Sequence, residues 1–193
     1  MEKCTDTVVK WMSQCNAINE EDKELYKYAL YSVFLLIAPL LLAVGIGFFV
    51  GSVKHAVFLI FPFMVLRKFS GGYHTKNLRT CILGSGFLLF LCIMLSMYVQ
   101  CDLKLVIATV IASASLITFS PISSENRRLD SNEKRIYKKI TVFFVIFFEL
   151  LDIVLFLLGK YVYTSCFSVG ILLTAGLQAP CIIKKMRKST KNR

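Results

Sequence analysis

Residues 140–158 read ITVFFVIFFELLDIVLFLL, an apolar stretch interrupted only by Thr141, Glu149 and Asp152. A helix of this length extends about 28 Å at 1.5 Å per residue, close to the thickness of about 30 Å of the hydrocarbon core of a bilayer. Strands of a membrane barrel would instead alternate apolar and polar side chains, and the stretch shows no such alternation. It therefore predicts a membrane-spanning α-helix.

Apolar side chains dominate the rest of the sequence as well. They make up 56% of the 193 residues, more than the roughly 45–50% typical of a soluble domain. The 53–66 run is short for a full crossing and contains Pro62, so a kinked helix, a re-entrant helix and a longer helix over residues 48–69 are all compatible with it. The chain is predicted to be an all-α, polytopic membrane bundle with about six transmembrane helices, one over 140–158 and the others over residues 29–50, 53–66, 81–99, 103–119 and 161–183.

The basic residues indicate how these spans are oriented. If all six runs cross, 20 of the 23 Lys and Arg residues fall on one side of the membrane, and only Lys54, Lys104 and Lys160 fall on the other. Cytoplasmic flanks of short loops carry the excess of basic residues, so the richer side, which includes both termini, is predicted to be cytoplasmic. The net charge of +11 then reflects topology, and the expected partners of this face are anionic membrane lipids rather than nucleic acid.

The sequence divides into three segments. Residues 1–28 are polar, and the apolar residues around Trp11 recur at helical spacing, which predicts an amphipathic leader helix on the cytoplasmic surface of the membrane. Residues 29–183 form the predicted membrane domain, which contains a polar cytoplasmic loop at 67–81. Residues 184–193 form a basic cytoplasmic tail.

Cys81 differs in position from the other six cysteines. The seven cysteines have no zinc-like spacing, and neither a disulfide framework nor a metal site nor a cofactor is predicted. Cys81 lies where the 67–81 loop enters a span, and the N–H groups of a helix N-terminus favour the thiolate form. His74, a potential base, precedes it by seven residues, about 10.5 Å on one continuous helix and too far for a hydrogen bond. The adjacent Gly71 and Gly72 would allow the chain to reverse and bring His74 to Cys81.

The segment from Arg67 to Cys81, RKFSGGYHTKNLRTC, resembles the glycine-histidine, six residues, cysteine signature of AgrB, the accessory gene regulator membrane peptidase of Gram-positive bacteria. Chain length, the number of apolar runs and the charge layout resemble that family too. After the fourth run, FSPISSEN at residues 119–126 is similar to the family's proline-led loop. The sequence departs from the pattern at residues 127–129, where Arg-Arg-Leu replaces a second proline expected near position 128.

The resemblance implies a membrane-embedded cysteine endopeptidase. Such an enzyme cleaves the C-terminal tail of a short AgrD-type quorum-sensing precursor and promotes thiolactone or lactone closure through an acyl-enzyme. Carried over by the motif, Cys81 is the nucleophile and His74 the general base. A homodimer is a further expectation from the family. Because the precursor's tail is generally acidic, the candidate substrate-binding residues are basic and lie in the cytoplasmic loops: Arg67, Arg79, Arg127 and Arg128.

Glu149 and Asp152 carry the main alternative interpretation. Ionisable residues inside a span are costly and commonly line a substrate or ion path. These two are three residues apart on one helix face, so they could form the polar site of a small membrane transporter or peptide exporter. They could also order His74 or remain protonated. A noncatalytic membrane scaffold is a third interpretation.

The remaining conspicuous residues have structural interpretations. His55 is expected at the outer membrane interface. The glycines of 45–47 and 84–86 are predicted to allow close packing of helices. Gln178 and Pro180 are expected to mark a local kink in the last span.

Overall fold

The regular secondary structure of the computed structural model is helical, apart from one isolated β-bridge, over the residues it describes: 2–15, 18, 22–71, 78–122 and 131–191. The six predicted apolar runs correspond in order to helices α2 to α7. The predicted all-α class is therefore confirmed for this part of the chain. The helices are α1 Glu2–Gln14, α2 Lys23–Phe49, α3 Val53–Ser70, α4 Leu78–Tyr98, α5 Leu103–Phe119, α6 Ser131–Leu157 and α7 Tyr161–Lys191.

The first of two compact units comprises Met1–Leu42 and contains α1 and most of α2. An ion pair of 2.7 Å between the Asp6 carboxylate and the Lys27 ammonium joins these two helices. Val9 on α1 is buried, whereas Trp11 is 64% exposed. Helix α1 thus lies within the segment for which the amphipathic leader helix is predicted, and it has a buried and an exposed side. Its place on the membrane surface stays a prediction.

The second unit, Ala43–Arg193, is a bundle around α7. This helix contacts α3, α4, α5 and α6, and its residues from Thr164 to Ile171 are all buried. The ring of Phe148 meets that of Phe61 edge-on, with 5.7 Å between the centroids. Helix α7 is thus the element on which the other four helices pack. The core cluster draws residues from α3, α5, α6 and α7: Leu66, Ala112, Leu116, Val145, Phe148, Phe167 and Ile171.

Helix α3 corresponds to the short apolar run over residues 53–66. It is continuous from Val53 to Ser70 and includes Pro62, whose ring is buried. Its 18 residues extend about 27 Å, nearly the thickness of a hydrocarbon core. The helix is longer than the 53–66 run at its C-terminal end only, because residues 48 and 49 belong to α2. The predicted extension back to residue 48 is therefore wrong, and a full crossing of the membrane by α3 stays a prediction.

A close helix approach occurs at Gly170, where α7 meets α3. A Cβ atom at Gly170 would lie 2.6 Å from the carbonyl oxygen of Leu59 and 3.0 Å from Cγ of Pro62, so only glycine permits this spacing. Of the glycines predicted to serve this purpose, Gly47 does, since its Cβ would lie 2.6 Å from a neighbouring Cβ. Gly84 does not, because nothing in the chain lies within 4 Å of its Cβ position. The prediction of close helix packing was therefore wrong at Gly84.

The distribution of polar and apolar side chains is the reverse of that in a soluble protein. Large apolar side chains such as Phe143 and Leu150 are exposed on the outside, whereas Thr109, Asp152 and Gln178 are fully buried. Such a molecule requires an apolar solvent. Among the described residues, two helical segments are both long and apolar enough to cross a bilayer, Asn132–Leu157 and Tyr161–Ile183; shorter apolar helices are Ile37–Phe49, Leu83–Tyr98 and Leu103–Phe119.

Candidate active site

Two loops that are distant in sequence begin side by side at one end of the bundle. One follows α3 at Ser70, and the other follows α5 at Ser120. The backbone N–H of Ile122 donates to the carbonyl oxygen of Ser70 at 3.0 Å, and a parallel bridge pairs Ile122 with Gly71. The first residues of the loop that resembles the glycine-histidine signature therefore contact the proline-led loop directly.

Gly71 has a conformation that glycine alone adopts easily. Its φ is +74°, and a Cβ atom there would overlap the carbonyl oxygen of Ile122. Its carbonyl oxygen accepts a hydrogen bond of 3.0 Å from Nη1 of Arg67. At least one donor of the Arg67 guanidinium thus binds the loop backbone. The contact with substrate that the sequence predicts for Arg67 would be made by its other donors.

Gln178, on the central helix α7, connects both loops. Its side chain is fully buried, and Nε2 donates to Oγ of Ser120 at 2.8 Å and to the carbonyl oxygen of Ser70 at 3.4 Å. Both serines are buried as well. The prediction that Gln178 marks a kink missed this role. The available signal was a long amide side chain near the end of an apolar span, where a polar group needs a partner.

Aromatic contacts fix the end of α3 against α6. The ring of Phe69 stacks on that of Phe144 with 5.6 Å between the centroids and an interplanar angle of 11°, and it also meets Tyr137 at 5.9 Å. The ammonium of Lys68 lies 5.7 Å from the centroid of the Phe69 ring. The exposed first turns of α6 are consequently near the loop, and they carry four basic residues: Lys134, Arg135, Lys138 and Lys139.

The predicted catalytic residues are only partly within the described structure. Helix α4 begins at Leu78, so the backbone of Cys81 lies in its first turn, where the sequence places it; its side chain is outside the described atoms. The same holds for Arg79. The predicted base and the second glycine of the loop lie outside the described residues, as do two of the predicted substrate-binding arginines: His74, Gly72, Arg127 and Arg128.

Glu149 and Asp152 are held by serines inside the bundle. Oγ of Ser113 on α5 donates to Oε2 of Glu149 at 2.5 Å, and Oγ of Ser168 on α7 donates to Oδ2 of Asp152 at 2.7 Å. The second carboxyl oxygen of each residue is buried and has no hydrogen-bond partner in the described structure. Glu149 follows Tyr137 by twelve residues, about 18 Å along α6, so the carboxyl pair is well separated from the loop ends.

The comparisons with known proteins agree on one family. The family model described as Accessory gene regulator B, AgrB, matches residues 2–181. A protein of Clostridium perfringens (strain 13 / Type A), named as AgrB-like protein 2, is 26% identical over 162 residues, which cover 76% of this chain and 74% of the relative. An AgrB-like protein of strain SM101 is 25% identical with the same coverage. No solved structure matches the chain.

Proposed function

Because the chain belongs to the accessory gene regulator B (AgrB) family, we propose that it is a membrane-embedded cysteine endopeptidase that cleaves the C-terminal tail of a short, AgrD-type quorum-sensing precursor. Family membership and the two membrane-capable helices make it a membrane protein associated with agr peptide processing. The observation that supports the finer proposal is the meeting of the two family loops at Ser70 and Ser120. The loop that follows Ser70 leads in sequence to the first turn of α4, which contains Cys81.

The proposed reaction has two transfers. The thiol of Cys81 attacks the scissile carbonyl while His74 takes its proton, and the tail leaves as an amine that receives the proton back. The precursor remains bound through a thioester to Cys81. A thiol or hydroxyl within the precursor then gives its proton to His74 and attacks this thioester, which closes a thiolactone or lactone. The Cys81 sulfur leaves as a thiolate and takes the proton back from His74. Because the acyl group passes from sulfur to sulfur or oxygen, the ester-like bond is conserved and is not hydrolysed by water.

Charge complementarity supports the proposed substrate. An acidic tail would meet four basic residues that are exposed on α6 next to Phe69: Lys134, Arg135, Lys138 and Lys139. Of the four arginines predicted from the sequence, Arg67 lies in the last turn of α3 and Arg79 in the first turn of α4. In the proposed topology the two family loops and both termini are cytoplasmic, so a precursor made in the cytoplasm reaches the site without crossing the bilayer.

Replacement of the two catalytic residues tests the mechanism. Purified Cys81→Ala in liposomes should lose cleavage of the cognate precursor, and His74→Ala should lose nearly as much. The double variant should be scarcely worse than either single one, because the two residues act as a unit. Cys101→Ala, which removes a cysteine between α4 and α5, is the matched control and should cleave normally.

Cleavage by Cys81→Ala at the wild-type rate would refute the peptidase mechanism. The second candidate, a peptide exporter, would then take first place, because Asp152 is fully buried and, among the described residues, each carboxyl of the pair receives a hydrogen bond from one serine hydroxyl.

A further inference from the structure

Gln178 occupies a position from which one side chain can set the geometry of both loops. Its amide nitrogen has two hydrogens, and its two acceptors belong to residues that precede the signature loop and the proline-led loop: the Ser70 carbonyl and the Ser120 hydroxyl. The Ser70 carbonyl also receives the N–H of Ile122. Two donors from two different elements, the Gln178 amide on α7 and the Ile122 N–H after α5, thus converge on one carbonyl oxygen at the end of α3.

The helix that carries Gln178 packs closely against α3. Gln178 lies on α7, whose preceding turns pack directly against α3 at Gly170. One turn earlier, the buried hydroxyl of Thr174 donates to the carbonyl oxygen of Gly170 and so bonds only within its own helix in the described structure. Gln178 is therefore the α7 side chain in this region whose described hydrogen bonds reach the loops.

The distances along the chain show why this anchor matters. His74 is four residues beyond Ser70, so it lies within about 14 Å of it even when the chain is fully extended. Cys81 is on α4, which contacts α3 and α7 independently of the loop. A displacement of Ser70 would therefore move His74 relative to a fixed Cys81, and displacements near 1 Å can cost roughly 100-fold in rate.

We propose that Gln178 is a positioning residue of the peptidase: from the central helix it holds Ser70 against Ser120 and Ile122, and so fixes the start of the loop that presents His74 to Cys81. This inference rests on the proposed function, since it assigns Gln178 an effect on the Cys81 and His74 pair. It acts through backbone placement and makes no contact with substrate.

The decisive variant is Gln178→Met, which keeps the length of the side chain and removes both donors. Precursor cleavage should fall roughly 10- to 100-fold, mainly in kcat, with KM for the precursor little changed. Ser120→Ala, which removes the shorter of the two bonds, should cause a smaller loss in the same direction. Thr174→Val is the matched control: it removes a buried hydroxyl one turn away on α7 and should leave cleavage unchanged.

A second measurement separates positioning from general damage. In protein whose other six cysteines are replaced, the rate of Cys81 alkylation by iodoacetamide reports on activation of the thiol by His74. Gln178→Met should react as slowly as His74→Ala, and the variant with both changes should be no slower. Gln178→Met should elute in size-exclusion chromatography at the same volume as Thr174→Val and should have the same thermal transition temperature. These two results would verify that Gln178→Met is folded.

The outcomes distinguish the two proposals. If wild type and His74→Ala are alkylated at the same rate, the catalytic pair itself is refuted. If His74→Ala is slow while Gln178→Met reacts and cleaves like wild type, the peptidase stands and the positioning role is refuted. A cleavage loss in Gln178→Met that multiplies with that of His74→Ala would likewise overturn the inference.

Discussion

At the scale of single residues, Gly71 carries two constraints at once, a positive φ and contact with the proline-led loop. We expect Gly71→Ala to lower the free energy of unfolding by about 1–3 kcal/mol, since the left-handed conformation costs about 1–2 kcal/mol and the new methyl group overlaps Ile122. Cleavage should fall more than tenfold because the loop start must shift. Thermal unfolding in detergent and precursor cleavage measure the two effects.

The chain offers a matched control for the backbone conformation. Gly159 has a φ of +70°, but nothing lies within 4 Å of its Cβ position. Gly159→Ala should therefore show only the conformational cost and should cleave normally. Equal cleavage losses in both variants would show that contact with Ile122 is irrelevant to the loop.

Residues differ in how readily the sequence reveals them. The two adjacent glycines at 71–72 predict a reversal because the conformational freedom of glycine is local to the peptide unit. Gly71 does have a positive φ, whereas Gly72 lies outside the described residues and the reversal stays a prediction. The role of Gln178 could not be predicted, since its partners Ser120 and Ser70 lie 58 and 108 residues away. No local pattern encodes that proximity; it arises only when α3, α5 and α7 pack together.

At the scale of helices, the α3–α7 contact depends on Gly170. Gly170→Ala would place a methyl group 2.6 Å from a backbone oxygen of Leu59, which cannot rotate away as a side chain could. We expect a lower thermal transition temperature, corresponding to about 1–3 kcal/mol of overpacking. Gly176→Ala, on the same helix but with open space around its Cβ position, should be neutral or stabilising by up to about 1 kcal/mol, as helix propensity predicts. A milder effect at Gly170 than at Gly176 would contradict this account.

The sequence predicted which segments form helices better than it predicted where those helices begin and end. Each apolar run became one helix, because lipid requires every backbone group in it to be paired within the segment. Helices α6 and α7 extend beyond their runs into basic residues, to Ser131 and Lys191 respectively, and α3 continues to Ser70. Hydropathy could not predict these extensions, since helical turns outside the hydrocarbon core gain stability from contacts such as Phe69 with Tyr137 rather than from lipid.

At the scale of the whole molecule, the uneven distribution of charge should matter for substrate capture. Reversal of Arg127 and Arg128 to glutamate should weaken binding of a precursor with an acidic tail by about tenfold and reduce its dependence on salt. Fluorescence binding of the labelled precursor to protein in liposomes measures both quantities. The control is charge reversal at Lys104 and Lys160, which the predicted topology places on the opposite side of the membrane. It should leave the affinity for the precursor unchanged. Unaltered binding after the Arg127 and Arg128 reversal would mean that these charges report membrane orientation alone.

The central position of α7 also has a consequence for biogenesis. It is the last of the described helices in chain order, so α3 to α6 emerge from the ribosome and meet the bilayer before the helix that unites them exists. Until α7 is inserted, the carboxyl group of Asp152 lacks the hydrogen bond from Ser168. Because Gln178 is on the same helix, we expect the start of the signature loop to be positioned only after α7 has been made. We then expect a nascent chain to stay inactive until α7 has been inserted, whatever activity the loop supports.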